Sequence, residues 1–116
     1  MTESNININV HLDEDKVPQQ ISWSASGSTA ESPQKAKAMF VAFWDAADKS
    51  AMRIDLWTKD MMIDEMADFY YQVFVTLGDT FQRATKYDTL SNDIKSFAND
   101  FHKKFLDLEK KKSAGS

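Results

Sequence analysis

From Asn5 to Leu12 polar and apolar residues alternate without a break. Ile6, Ile8, Val10 and Leu12 fall on one face, and Asn5, Asn7, Asn9 and His11 on the other. Period two of this kind marks a half-buried strand with a solvated back. A polar turn, "DEDK", leads into "VPQQISWSAS", which alternates again with Val17, Ile21, Trp23 and Ala25 inward. The two runs predict an antiparallel hairpin. Pro18, near the start of the second strand and lacking an N–H, points to an edge position.

"SGSTAES" (26–32) reads as a connector ending in a helix start, with Ser32 as cap and Pro33 at the first helical position. Ala36, Phe40, Phe43, Trp44 and Ala47 then make one stripe, predicting an amphipathic helix of about four turns. "AMRIDLWTK" returns to period two, with Met52, Ile54 and Leu56 on one face and Arg53, Asp55, Trp57 and Lys59 on the other. A long helix is predicted from Met62 to Lys86, with Met66, Phe69, Tyr70, Val73, Leu77, Phe81 and Ala84 inward. Gly78 in its middle costs about 1 kcal/mol relative to alanine, which implies close packing there. A last helix, capped by Asp88 or Thr89, points Leu90, Ile94, Phe97, Phe101, Phe105 and Leu108 inward.

The predicted order is β-β-α-β-α-α. That is an α+β fold, a small antiparallel three-stranded sheet with three helices packed on one face. A right-handed crossover carrying the third strand past the first gives spatial order 2-1-3, with the Pro18 strand at an edge. The expected core takes Ile8, Val10, Ile21, Trp23, Ile54 and Leu56 from the sheet and Phe40, Trp44, Phe69, Val73, Leu77, Phe97 and Phe101 from the helices.

Composition narrows the function without naming it. A chain of 116 residues, 42% hydrophobic and 28% charged, suits a single domain over 1–116. There is no cysteine, which excludes disulfides and thiolate metal sites. No basic and apolar leader and no run of roughly 20 apolar residues is visible, so a cytoplasmic protein without a transmembrane segment is expected. The net charge of −4 argues against nucleic-acid binding. Residues 109–116, "EKKKSAGS", are expected to form a flexible basic tail, its lysines suited to a helix C-terminus.

The densest chemistry lies in "MRIDLWTKDMMIDEM" (52–66), with four carboxylates, two cations and a tryptophan. Position assigns the carboxylates ordinary work. Asp60 occupies the expected N-cap, Asp64 and Glu65 the first helical turn, and Asp55 sits two residues from Arg53 on a strand face. Hard-cation loops, H-x-x-x-H spacing, nucleophile triads and phosphate-cradling glycines are all missing from the sequence. No catalytic residue, metal ligand or cofactor is therefore expected. Trp57 resists that account: with Arg53, Asp55 and Lys59 it has the composition of an interaction surface. The rival is a tryptophan covered by the 26–32 connector or by neighbouring strand side chains.

"LDEDKVPQQISW", "AKAMFVAFWDA", "RIDLWTKDMMIDEM" and "GDTFQRAT" resemble, in order and spacing, the gliding-motility-associated GldC family, from Ile6 to Phe105. "RIDLWTKDM" is the most specific piece; where the family pattern often continues with proline, this chain has Met62. The resemblance implies a small soluble accessory protein of bacterial gliding motility, accompanying a surface apparatus linked to protein secretion. It implies no catalytic residues. The expected function is a non-enzymatic protein-interaction module whose partners are other motility proteins or a second copy. The alternative is a small-ligand carrier with an aromatic-lined pocket between sheet and helices.

Overall fold

A computed structural model describes residues 2–27 and 30–114, the last two of these by backbone alone. Two compact units divide between Met61 and Met62. The first is made of strands and the second of helices.

Among its described residues the strand unit holds five strands: β1 (Ile6–Leu12), β2 (Pro18–Ala25), β3 (Gln34–Ala36), β4 (Ala38–Asp45) and β5 (Ser50–Trp57). The expected hairpin is present, with Ile8 opposite Trp23 and Val10 opposite Ile21. Asp13 shapes its turn: one carboxylate oxygen accepts the N–H groups of Asp15 and Val17, each at 2.9 Å. Lys16 closes the turn in the left-handed region, at φ 63°. Near the hairpin's start Leu12 faces Pro18, so Gln19 is the extra residue of a bulge in β2.

The helix expected over 33–47 is instead two strands. β3 pairs antiparallel with β2 through Ile21, Ser22 and Trp23, and β4 pairs along its whole length with β5. The reason is local. "AMFVAFW" is an apolar run of seven with no gap, rich in aromatic and β-branched residues and closed by the turn "DAADKS". Such a run suits a strand better than a helix stripe picked from within it. In that turn Asp45 accepts the Asp48 N–H on its side chain at 2.7 Å and the Lys49 N–H on its carbonyl at 2.9 Å.

The sheet topology therefore differs from the expected 2-1-3 order. One sheet runs β1-β2-β3 and a second runs β4-β5. The Pro18 strand is central, not an edge. Pro18 is tolerated because β3 covers only Ile21–Trp23, and the residue that meets the proline's side of β2, Lys59, donates to its carbonyl and needs no N–H from it. At Lys37 the chain bends from the first sheet to the second.

The helical unit is an antiparallel-type pair, α1 (Ile63–Thr85) and α2 (Asp88–Ala114), joined through Lys86 at φ 65°. Among the described residues there are two helices, not three. Met62, not Asp60, is the N-cap of α1, and its N–H donates to the Glu65 side chain at 3.0 Å. A proline at 62 could not make that bond. The basic segment from Glu109 to Ala114 continues α2, and residues 115–116 of the expected tail lie outside the described residues.

The α1–α2 seam is built from small residues and aromatic rings. Ala67, Gly78, Ser91 and Ala98 are buried. Phe74 meets Phe97 and Phe101 at ring distances of 5.3 and 5.4 Å. Close packing at Gly78 is as expected: a Cβ there would lie 3.0 Å from Lys95 Cγ and 3.2 Å from the Ser91 carbonyl oxygen. Along α2 the positions 91, 94, 98, 101 and 105 alternate spacings of three and four, the rhythm of a helix–helix seam. The stripe predicted on α1 is displaced from this seam, and Leu77 is 49% exposed.

Candidate interaction surface

β4 and β5 present two unlike faces. Because cross-strand partners share a face, Met39, Val41 and Phe43 lie with Leu56, Ile54 and Met52, all apolar. The other face holds Ala38, Phe40, Ala42 and Trp44 with Trp57, Asp55, Arg53 and Ala51. Here nearly every large side chain opposes an alanine: Trp57 faces Ala38, Arg53 faces Ala42 and Trp44 faces Ala51. The surface is thus ridged, with bulky groups standing beside gaps that a complementary surface can fill.

This face is open to solvent. Phe40, Trp44 and Trp57 are 44%, 70% and 59% exposed. The described residues of the connector do not cover Trp57. Of the four residues expected to form an interaction surface, three are brought together on this face: Arg53, Asp55 and Trp57. Lys59 is separated from them, its ammonium bonded to the Asp13 carboxylate at 2.6 Å. Phe40 and Trp44, expected in the core, join the surface instead. The helix reading of 33–47 hid them; the period-two reading of "AMFVAFWD" reveals them.

The base of β5 is a latch. The Thr58 N–H donates to the Lys37 carbonyl at 2.7 Å, and the Lys59 N–H donates to the Pro18 carbonyl at 3.3 Å. Thr58 is 2% exposed, and its hydroxyl reaches both the Lys37 carbonyl and the Asp60 carboxylate. With a single proton it donates to the carboxylate, the charged and stronger acceptor. That bond, aided by the positive charge of Lys37, holds the Asp60 carboxyl below its ordinary value of 3.8. Asp13 is lowered likewise, first by Lys59 and then by the Val17 N–H. "TKD" thus ties the end of β5 to the bend at Lys37, the start of β2 and the first turn. A polar cleft of about 440 Å³ lies beside it, lined by Gln19, Gln20, Lys35, Ala36, Lys37, Thr58 and Asp60.

The remaining carboxylates of the 52–66 stretch are dispersed. Asp55 faces Phe40 across the strands, Asp64 accepts the Glu65 N–H at 2.9 Å, and Glu65 caps Met62. Among the described residues no three His, Asp or Glu side chains gather closely enough to hold a metal ion.

The model of the gliding motility-associated GldC-like proteins matches residues 18–107. The chain belongs to the GldC-like family. That match takes in β2 to β5, the latch, the ridged face and both helices as far as Asp107. The family ties the chain to gliding motility, as the resemblance of "RIDLWTKDM" implied. No curated protein and no solved structure matches the GldC-like chain. Among its described residues no helix is long and apolar enough to cross a membrane.

Proposed function

We propose that this GldC-like protein is a non-enzymatic accessory of the gliding machinery that works by binding another motility protein. The ridged face of β4–β5 is its contact surface, and a cytoplasmic location belongs to the same proposal. One observation carries the reading: Trp44, Trp57 and Phe40 stand exposed on one strand face beside Arg53 and Asp55. Aromatic side chains and arginine in such a cluster are the residues that dominate binding energies at protein interfaces. The carrier alternative gains nothing from the cleft beside Thr58, whose lining is lysine, glutamine, threonine and aspartate rather than aromatic.

The test is retention of a named partner. Tagged protein is recovered from a gliding cell and the co-purifying motility component identified by mass spectrometry. Trp44→Ala/Trp57→Ala is then compared with wild type. The double variant should keep the wild-type melting point, since both rings are largely in water, and lose the component. A variant that melts normally and retains its partner in full would remove this face from the interaction.

A further inference from the structure

The β1-β2-β3 sheet ends on β1, and that edge lacks the features that keep sheet edges from pairing. Between Ile6 and Leu12 there is no lysine, arginine, carboxylate or proline, and the nearby bulge residue belongs to β2. The opposite edge is different. β3 is three residues long, follows Pro33 and carries Lys35, with Lys37 just beyond. Short length, proline and lysine all blunt an edge.

The backbone groups of β1 can be assigned by ladder alternation. The Ser26 N–H donates to the Asn5 carbonyl at 3.0 Å, whereas the Ala25 N–H turns away from β1 to the Ala30 carbonyl at 2.8 Å. In an antiparallel ladder, Asn5, Asn7, Asn9 and His11 therefore bond toward β2. Ile6, Ile8, Val10 and Leu12 direct their N–H and C=O groups outward. The same four residues carry the apolar side chains, and Ile6 and Leu12 are 73% and 53% exposed.

We propose that β1 pairs antiparallel with β1 of a second copy about a two-fold axis at Asn9, joining two three-stranded sheets into one. The sequence is self-complementary in that register. Ile8 meets Val10 of the second copy and Ile6 meets Leu12, so each outward backbone group faces another. Four such pairs supply about eight hydrogen bonds. The apolar faces of both copies lie on the same side, and Asn7 meets His11 on the other. No like charges are opposed anywhere along the strand, and Asn9 faces Asn9 across the axis. β1 precedes the residues matched by the family model and lies in a different sheet from the ridged face, so this contact is separate from the one proposed for a partner.

Asn9 is exposed on the polar face, so charge can be placed there without disturbing the protomer. Sedimentation equilibrium of the full chain, from micromolar to submillimolar, compares wild type, Asn9→Lys, Asn9→Asp and an equimolar mixture of the two variants. Wild type should dimerise. Each variant should dimerise about fivefold or more weakly, because like charges stand directly opposite. The mixture should recover dimer as lysine meets aspartate. Amide exchange at Ile8 and Val10 should be slow in the dimer and fast in either variant alone. A wild type that stays monomeric, variants that dimerise as well as wild type, or a mixture no tighter than its components would overturn the proposal. Fast exchange at Ile8 and Val10 in a wild-type dimer would do the same, by placing the contact elsewhere.

Discussion

Thr58 is a buried hydroxyl between two acceptors, and its proton decides how the latch responds to acid. The donated bond depresses the Asp60 carboxyl below 3.8 in the folded protein, and Asp13 is depressed in the same way. A group whose folded pKa lies below its unfolded value adds stability above the unfolded value. That stability is lost as pH falls through the folded one. Both aspartates should therefore support the fold fully at pH 5–7 and release it below about pH 4. Asp60→Asn removes the dependence at one site. Its melting point should fall short of wild type at neutral pH, and the gap should close in acid. Thr58→Val keeps shape and burial but not the donor. It should lower Tm by about 4 °C, the scale of one side-chain hydrogen bond in a small domain. A gap that is constant from pH 7 to pH 3 would mean that Asp60 titrates alike in both states. Sequence position alone made Asp60 a helix cap. The nearer hydroxyl two residues back, invisible as a partner until the strand end bends, took it instead.

In the helical unit the seam sets which substitutions matter. Phe74→Ala removes the ring that meets Phe97 and Phe101, and should cost about 3 kcal/mol by denaturant melt. Gly78→Leu puts a branched side chain where even a Cβ would lie 3.2 Å from the Ser91 carbonyl oxygen, and overpacking of this kind costs about 1–3 kcal/mol. Ser91→Ala should go the other way. Its hydroxyl is buried with no hydrogen-bond partner among the described residues, so removing it should stabilise by about 1 kcal/mol. Equal effects from all three would mean that the helices meet along another line. Both helices were legible in the sequence because each repeats apolar residues over many turns, and Gly78 announced a close approach. The seam itself was not. The predicted stripe on α1 followed Phe69, Val73 and Leu77 and left out Phe74, whereas the contact is made through Phe74 and Gly78, with Ala67 buried on the same side. Small residues carry little hydrophobic signal yet permit the closest packing. In the strand unit the first hairpin and β5 were equally plain, since alternation is unambiguous when one face is polar. β4 was not plain, because both of its faces are apolar and period two leaves no mark on such a run. With β4 misread, Phe40 and Trp44 were lost from the surface that Trp57, Arg53 and Asp55 had announced.

Taken together, the two proposed contacts make a protein that meets its partner twice. A dimer joined through β1 carries two ridged faces, one on the β4–β5 sheet of each copy. Each face binds alone with the strength that Trp57 and its neighbours supply. Two faces on one particle engage an array of partners with an effective concentration that a monomer lacks, and overall retention can exceed single-site affinity by about 10²-fold or more where the geometry allows both to bind. Asn9→Lys and Trp57→Ala should therefore separate cleanly on a surface bearing the motility component. At sparse partner density, where only single contacts form, Asn9→Lys should match wild type in affinity. Trp57→Ala should lose about 30-fold or more, the effect of truncating an interface tryptophan worth about 2 kcal/mol. At high density wild type should dissociate far more slowly than Asn9→Lys, while Trp57→Ala fails at both densities. If Asn9→Lys weakened the sparse, one-to-one contact as much as the dense one, β1 would belong to the partner's footprint and not to a separate dimer contact. If wild type and Asn9→Lys dissociated at the same rate from the dense surface, the two ridged faces of one dimer could not be engaged together.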